Sequence, residues 1–159
     1  MGCGRRKNEV GAMVLAGAIL TGGLISTDAA PQQPADAGSA ELYMRLCNTC
    51  HDAQRILANR RTRTQWAEVI EKMVERGAQG TPDELAAVEE YLLRVSGRVN
   101  VNRAVTTDIA VVLGISEKEG DAIVAHRKAT GDYPDFESLC KVPGIDVEKL
   151  KLARDAISF

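Results

Sequence analysis

Cys47 and Cys50 stand three residues apart, and His51 follows at once. Two thiols at that spacing share one helical turn. They can reach the two vinyl groups of one porphyrin and form thioethers, while the adjacent imidazole lies under the iron as an axial ligand. The intervening Asn48 and Thr49 are unconstrained by this chemistry. The spacing therefore points to one covalently held haem c. Other readings are weaker. A thioredoxin-like dithiol needs a βαβ setting, and the sequence gives no sign of one. A zinc site needs two more ligands at comparable spacing, and downstream only His126 and Cys140 remain, distant and isolated. A chance match is disfavoured by an N-terminus that reads as an export signal, since covalent haem attachment in bacteria takes place outside the cytoplasm.

A second axial ligand has few candidates. Met44 precedes Cys47 by one helical turn and is poorly placed for the opposite haem face. Met73 lies on a different helix, on the same side as Trp66, Val69 and Ile70. It reads as the distal ligand, the alternative being apolar filler on that stripe. His126 would have to close over the haem from the far half of the chain. A His51/Met73 pair raises the reduction potential relative to two histidines and leaves no open iron position, which favours electron transfer over catalysis such as peroxidase chemistry. Arg55, Arg60, Arg61 and Arg63 form the densest positive run. They read as a solvated loop, or as haem-propionate partners (Arg55 foremost) and a steering patch for an acidic redox partner. Trp66 either supports the haem through its indole N–H or packs.

These residues need elements to position them. The chain has 159 residues, a net charge of −2 and only 4% aromatics. No overall basic bias advertises nucleic acid, and a small core with so few aromatics is helped by a large apolar cofactor. Arg5, Arg6 and Lys7 precede an apolar, glycine-rich run over 10–26, with a small-x-small site at Thr27 and Ala29. Residues 1–29 thus read as a signal peptide and the protein as periplasmic, or membrane-anchored if the signal is retained. Cys3 precedes the apolar run and is not placed as a lipoprotein cysteine. Residues 30–40 are rich in Pro, Ala and Gln and read as a linker.

The rest is all-α. Residues 41–98 read as one domain, with helices over 39–47, 64–76 and 82–96. Thr81, Pro82 and Glu84 supply a cap, a first-turn proline and a capping box for the last of these. Residues 99–159 read as a second domain of two helix–turn–helix units: 106–113 and 117–129 around Gly114-Ile115-Ser116, then 135–141 and 147–157 around Pro143-Gly144-Ile145-Asp146. Cys140 falls on an apolar face with Leu139 and Val142 and reads as a small buried hydrophobe.

Three segments, LCNTCHDAQRI, RRTRTQWAEVIEKM and DELAAVEEYL, make residues 41–98 resemble the small cytochrome c domain of quinohemoprotein amine dehydrogenase haem subunits. The resemblance covers just over a third of the chain. It implies a class I cytochrome c fold, attachment at Cys47 and Cys50, His51 as proximal ligand and Met73 as distal ligand. Dehydrogenase activity does not carry over, because the chain is short, holds one C-x-x-C-H motif and has no separate catalytic constellation.

The stretch VNVNRAVTTDIAVVLGISEKEGDAIVAHRK, followed by YPDFESLCKVPGIDVEKL, resembles the paired helix-hairpin-helix domain of bacterial competence DNA receptors. In that family each hairpin reads hydrophobic-Gly-hydrophobic-Gly and holds a DNA phosphate on backbone N–H groups. The resemblance puts Gly114, Ile115, Lys118 and Gly144 nearest a phosphate. Here Ser116 and Asp146 stand where the second glycines belong, and an aspartate there repels phosphate. Residues 99–159 hold eight Lys/Arg against ten Asp/Glu. DNA-binding domains normally carry the opposite balance. The sequence thus reads as a periplasmic c-type cytochrome that carries single electrons to or from redox partner proteins, is not an enzyme, and uses a helix-hairpin-helix module for docking. The alternative is a DNA-binding or DNA-uptake receptor whose haem domain is structural or redox-sensing.

Overall fold

The computed structural model describes residues 36–159. The proposed signal and most of the proposed linker lie outside them. Helix α1 runs Asp36–Cys47, so the helix enters what reads as linker in the sequence. A single turn, α2 (Gln54–Leu57), follows the C-x-x-C-H segment. Helix α3 (Arg63–Glu75) starts at Thr62, whose side chain accepts from the Gln65 N–H while the Gln65 side chain accepts from the Thr62 N–H. Helix α4 (Pro82–Ser96) begins with the box read from the sequence, Thr81 and Glu84 capping each other's amides.

Helix α4 is the central element: α1, α3 and α5 (Thr106–Leu113) all pack on it. Its inward stripe includes Val88, Leu92 and Leu93, all nearly inaccessible to solvent. Gly97 ends α4 in a crowded spot between the last turn of that helix and a side chain of α5. A Cβ there would lie 2.1 Å from the Leu93 carbonyl oxygen and 2.7 Å from a Val112 methyl, so only glycine fits.

Beyond α5 come α6 (Glu117–Thr130), the short α7 (Phe136–Leu139) and α8 (Val147–Leu152), closed by a 3₁₀ turn over Arg154–Ala156. Two-residue strands β1 (Val99–Asn100) and β2 (Ile157–Ser158) pair in parallel, Val99 beside Ile157. They tie the end of the chain back to its middle. One hydrophobic cluster runs from Tyr43 and Trp66 through Leu93 and Ile109 to Leu139, Leu150 and Ile157. Residues on either side of position 98 thus share one core. No helix among the described residues is long and apolar enough to cross a membrane.

Candidate functional site

Cys47 is the last residue of α1, and Cys50 and His51 lie in the turn beyond it. Two adjoining cavities open beside this turn. The inner one, with about 30 Å³ of free space, is bounded by Cys47, His51 and, on α3, Met73. Apolar side chains make up most of its remaining wall, among them Leu46, Ile56, Trp66, Ile70 and Leu92. The outer one, an open space of about 430 Å³, shares Cys47, His51 and Met73 and adds Cys50, Arg45 and Arg76. So residues 22 or more positions apart in sequence bound one apolar space. Met44, 36% exposed, lines neither cavity.

The surrounding hydrogen bonds fix this wall. The Tyr43 hydroxyl donates to the Ala53 carbonyl, and its ring lies 5.3 Å from that of Tyr91. Burial, with smaller contributions from Cys47, Tyr91 and Asp52, pushes the Tyr43 hydroxyl up to about 12. The Asn48 side chain accepts from the Ala53 N–H at 3.0 Å. His51 Nδ1 lies 3.4 Å from the Asp52 carbonyl oxygen, which leaves Nε2 as the nitrogen without that neighbour. Burial pushes the Cys47 thiol up, the opposite of what a reactive dithiol or a metal thiolate requires. Among the described residues, no three His, Cys, Asp or Glu side chains converge to hold a metal ion.

Not every candidate residue lines this space. Arg55 is exposed and lines neither cavity. The basic run is largely engaged elsewhere. Arg60 donates to the Gly97 carbonyl at 3.3 Å. The Arg61 guanidinium sits 5.0 Å from the Trp66 ring centre. Arg63 pairs with Glu89 and Glu90 at 2.7 Å and with Asp108 at 2.6 Å, bridging α3 to both α4 and α5. The cations at the cavity mouth are instead Arg45 and Arg76, with Arg45 ion-paired to Glu84. Trp66 does line the cavity, but its indole N–H donates to the Ser96 carbonyl at 3.2 Å and is not turned inward. Ser96 in turn donates its hydroxyl to the Leu57 carbonyl at 2.7 Å, pinning α2 to the end of α4. His126 stacks on Tyr133 at 5.6 Å, far along the chain from this wall.

The second site is the pair of corners around Gly114 and Gly144, whose φ values of 63° and 82° are left-handed and suit glycine. The first corner is closed by its own backbone. The N–H groups of Gly114 and Ile115 both donate to the Ala110 carbonyl, so neither faces outward as the phosphate reading expects. Ile115 is buried, whereas Lys118 and Gly144 are exposed. Ser116 caps α6, and Glu119 at the third helical position returns the bond. Glu119 does more than cap. One oxygen accepts from the Ser116 N–H at 2.8 Å and from the Ser116 hydroxyl at 2.7 Å, while the other accepts from the Asp146 N–H at 2.9 Å. Asp146 itself caps α8, accepting from the Glu148 and Lys149 amides. The Ser116 hydroxyl foremost, then the Ser116 and Asp146 amides, pull the Glu119 carboxyl down to about 2. Sequence reasoning missed this residue, though Ser116-x-x-Glu119 is a capping-box pattern.

Two corners of this geometry define a class. Residues 95–158 match the family model of the helix-hairpin-helix motif. A curated protein of Haemophilus influenzae (strain Rd), described only as an uncharacterized protein, is 33% identical over 90 residues, which is 56% of this chain and 80% of that protein. The chain belongs to the family of that Haemophilus protein and carries a helix-hairpin-helix motif in its second half. No solved structure matches it.

Proposed function

We propose that the chain holds one haem c, attached at Cys47 and Cys50, and serves as a single-electron carrier, with the helix-hairpin-helix half as a docking module. The observation that supports this most is the apolar cavity bounded at once by Cys47, His51 and Met73. The residues present fit the group. Two thiols stand at the mouth, an imidazole nitrogen and a thioether border the same space, and the remaining wall is mostly hydrocarbon. When bound, the haem supplies a one-electron couple. The chain's residues set its conditions. Cys47 and Cys50 anchor it. His51, through an imidazole nitrogen, and Met73, through its thioether, would hold its iron. Trp66, Val69, Ile70 and Leu92 exclude water, which favours the less charged, reduced state. Arg45 and Arg76 place positive charge at the mouth, where an acidic redox partner would approach. An exported, periplasmic protein is the setting the N-terminal pattern of the sequence suggests.

A second reading is nucleic-acid binding, including DNA uptake, with the haem domain structural or redox-sensing. The family match favours it, because that match covers residues 95–158 and the motif is one used to hold DNA phosphates. Ser116, Asp146 and the acidic balance of residues 99–159 weigh against it. Two measurements on the full chain separate the readings. Replacing Met73 by Ala should lower the reduction potential and change the visible spectrum. An unchanged spectrum and potential would remove Met73 as ligand and reopen the haem-enzyme reading. Anisotropy of labelled duplex DNA, titrated from low to physiological salt, addresses the second. Binding that weakens steeply with salt would make the nucleic-acid reading primary.

A further inference from the structure

Two surface grooves that share no residue carry opposite charge. The first lies between α3 and α4 and encloses an open space of about 670 Å³. Ile70, Val74 and Leu85 give it hydrocarbon, and Val74 is 42% exposed. Glu68, Glu71 and Glu75 follow one another along its α3 side at steps of three and four, so one helix face presents all three. Among the described residues none of these three is ion-paired, and no lysine or arginine lines the groove. The second groove, an open space of about 340 Å³, lies where the end of α4 meets α5 and α8. Arg60, Arg94 and Lys149 line it, and among the described residues no carboxylate does. Val95 in this groove is 41% exposed, and Leu152, the last residue of α8, is 88% exposed. We propose that the second groove of one copy of this chain docks on the first groove of another, with Leu152 against the Val74 and Leu85 side chains and the cations facing the glutamates. Scattered exposed apolar side chains are ordinary on a protein surface. Here the exposed leucine stands among cations, and the apolar groove that can cover it is edged by carboxylates. The chain's net charge of −2 gives no attraction between copies, but charge segregated onto two faces does. Because the two faces differ, the contact is heterologous, and its repetition builds a ring or an open chain, not a closed twofold dimer. Neither groove includes Cys47, His51 or Met73, nor the Ser116 and Asp146 corners, so this association is independent of haem and of nucleic acid.

The test is sedimentation velocity on the intact protein over a range of concentrations, at low and at physiological salt. Wild type should form species larger than the monomer, in amounts that grow with concentration and fall with salt. Leu152→Glu puts a carboxylate where the acidic groove must be met, and Glu71→Lys puts a cation where the basic groove must be met. Both positions are exposed, so neither change disturbs the core. Each variant alone should associate on the order of a hundredfold more weakly than wild type. Mixed in equal amounts, the two should form a dimer and nothing larger, because the Leu152→Glu chain keeps an intact acidic groove and the Glu71→Lys chain an intact basic one. Circular dichroism establishes that each variant is folded. If one is not, Leu152→Ala or Glu71→Gln takes its place, with a weakening of about tenfold expected. A wild type that stays monomeric at every concentration and salt would overturn the proposal and leave the grooves to other proteins. Variants that associate as wild type does would also overturn it, and so would a mixture that stays monomeric beside a wild type that associates.

Discussion

The cavity beside Cys47 and the corner beneath Glu119 solve opposite problems. Around the cavity the polar groups are turned away from the space they border. The Trp66 N–H goes to Ser96 and the Tyr43 hydroxyl to Ala53. What remains is a hydrocarbon wall interrupted by sulfur and imidazole. At the hairpins the polar groups are turned toward one another, and amides of both corners bind a carboxylate of the same chain. The first region presents apolar side chains, sulfur and imidazole to one space, whereas the second satisfies its donors within the chain. A family match in the second half and a chemical motif in the first therefore carry different information about function.

The two regions nonetheless share one hydrophobic cluster, and the sharpest way to break the comparison is to show that they unfold separately. Trp66 is fully buried, lines the cavity and holds the end of α4. Trp66→Ala should cost about 3–5 kcal/mol, because it removes a large core side chain and one of the two hydrogen bonds that the Ser96 carbonyl accepts. In a urea melt, one cooperative transition should shift to lower denaturant. Two separable transitions would mean that the halves fold independently. A smaller effect is expected at Arg63, which ties α3 to α4 and α5 from a site only about a third exposed. Arg63→Ala should lower stability by about 1–2 kcal/mol, read as a change in melt midpoint at constant slope. No change would mean that Glu89, Glu90 and Asp108 are held without it.

The smallest effect concerns acid. The Glu119 carboxyl is depressed in the folded protein, from 4.5 to about 2. Below 4.5 the unfolded chain binds a proton that the folded chain does not, so the stability Glu119 confers is complete above that pH and is lost as pH falls toward 2. Glu84 and Asp135, also lowered by capping amides, act in the same direction. Stability should therefore fall on acidification, and Glu119→Gln should flatten the curve between pH 4.5 and 2. An identical slope in the variant would show that the hairpin carboxylate is not linked to folding.

Much of the helical frame was legible in the sequence because local chemistry declares it. Thr81, Pro82 and Glu84 announce the start of α4 at the residue where it begins, and the stripe of Trp66, Val69, Ile70 and Met73 marks the face of α3 that borders the cavity. Helix α2 was not legible, since four residues carry no period. Nor was the β1–β2 pairing, which joins two-residue segments 58 positions apart. The arginine run reads as a positive patch only while its partners are unknown. Those of Arg63 come from α4 and α5, 26 to 45 residues later. Glu119 shows the same limit from the other side. Its cap on Ser116 is a local pattern, but its bond to Asp146 exists only once the second hairpin is folded against the first.

The central claim is that the cavity bounded by Cys47, His51 and Met73 holds a covalent haem. Its most direct test is the intact mass and visible spectrum of the full-length chain, produced with its own N-terminus in a bacterium equipped to attach haem to exported proteins, then denatured in acid. The account predicts one haem that stays with the polypeptide through denaturation and is lost in a Cys47→Ser, Cys50→Ser variant. A folded, exported chain with the mass of the bare polypeptide and no haem absorption would contradict it.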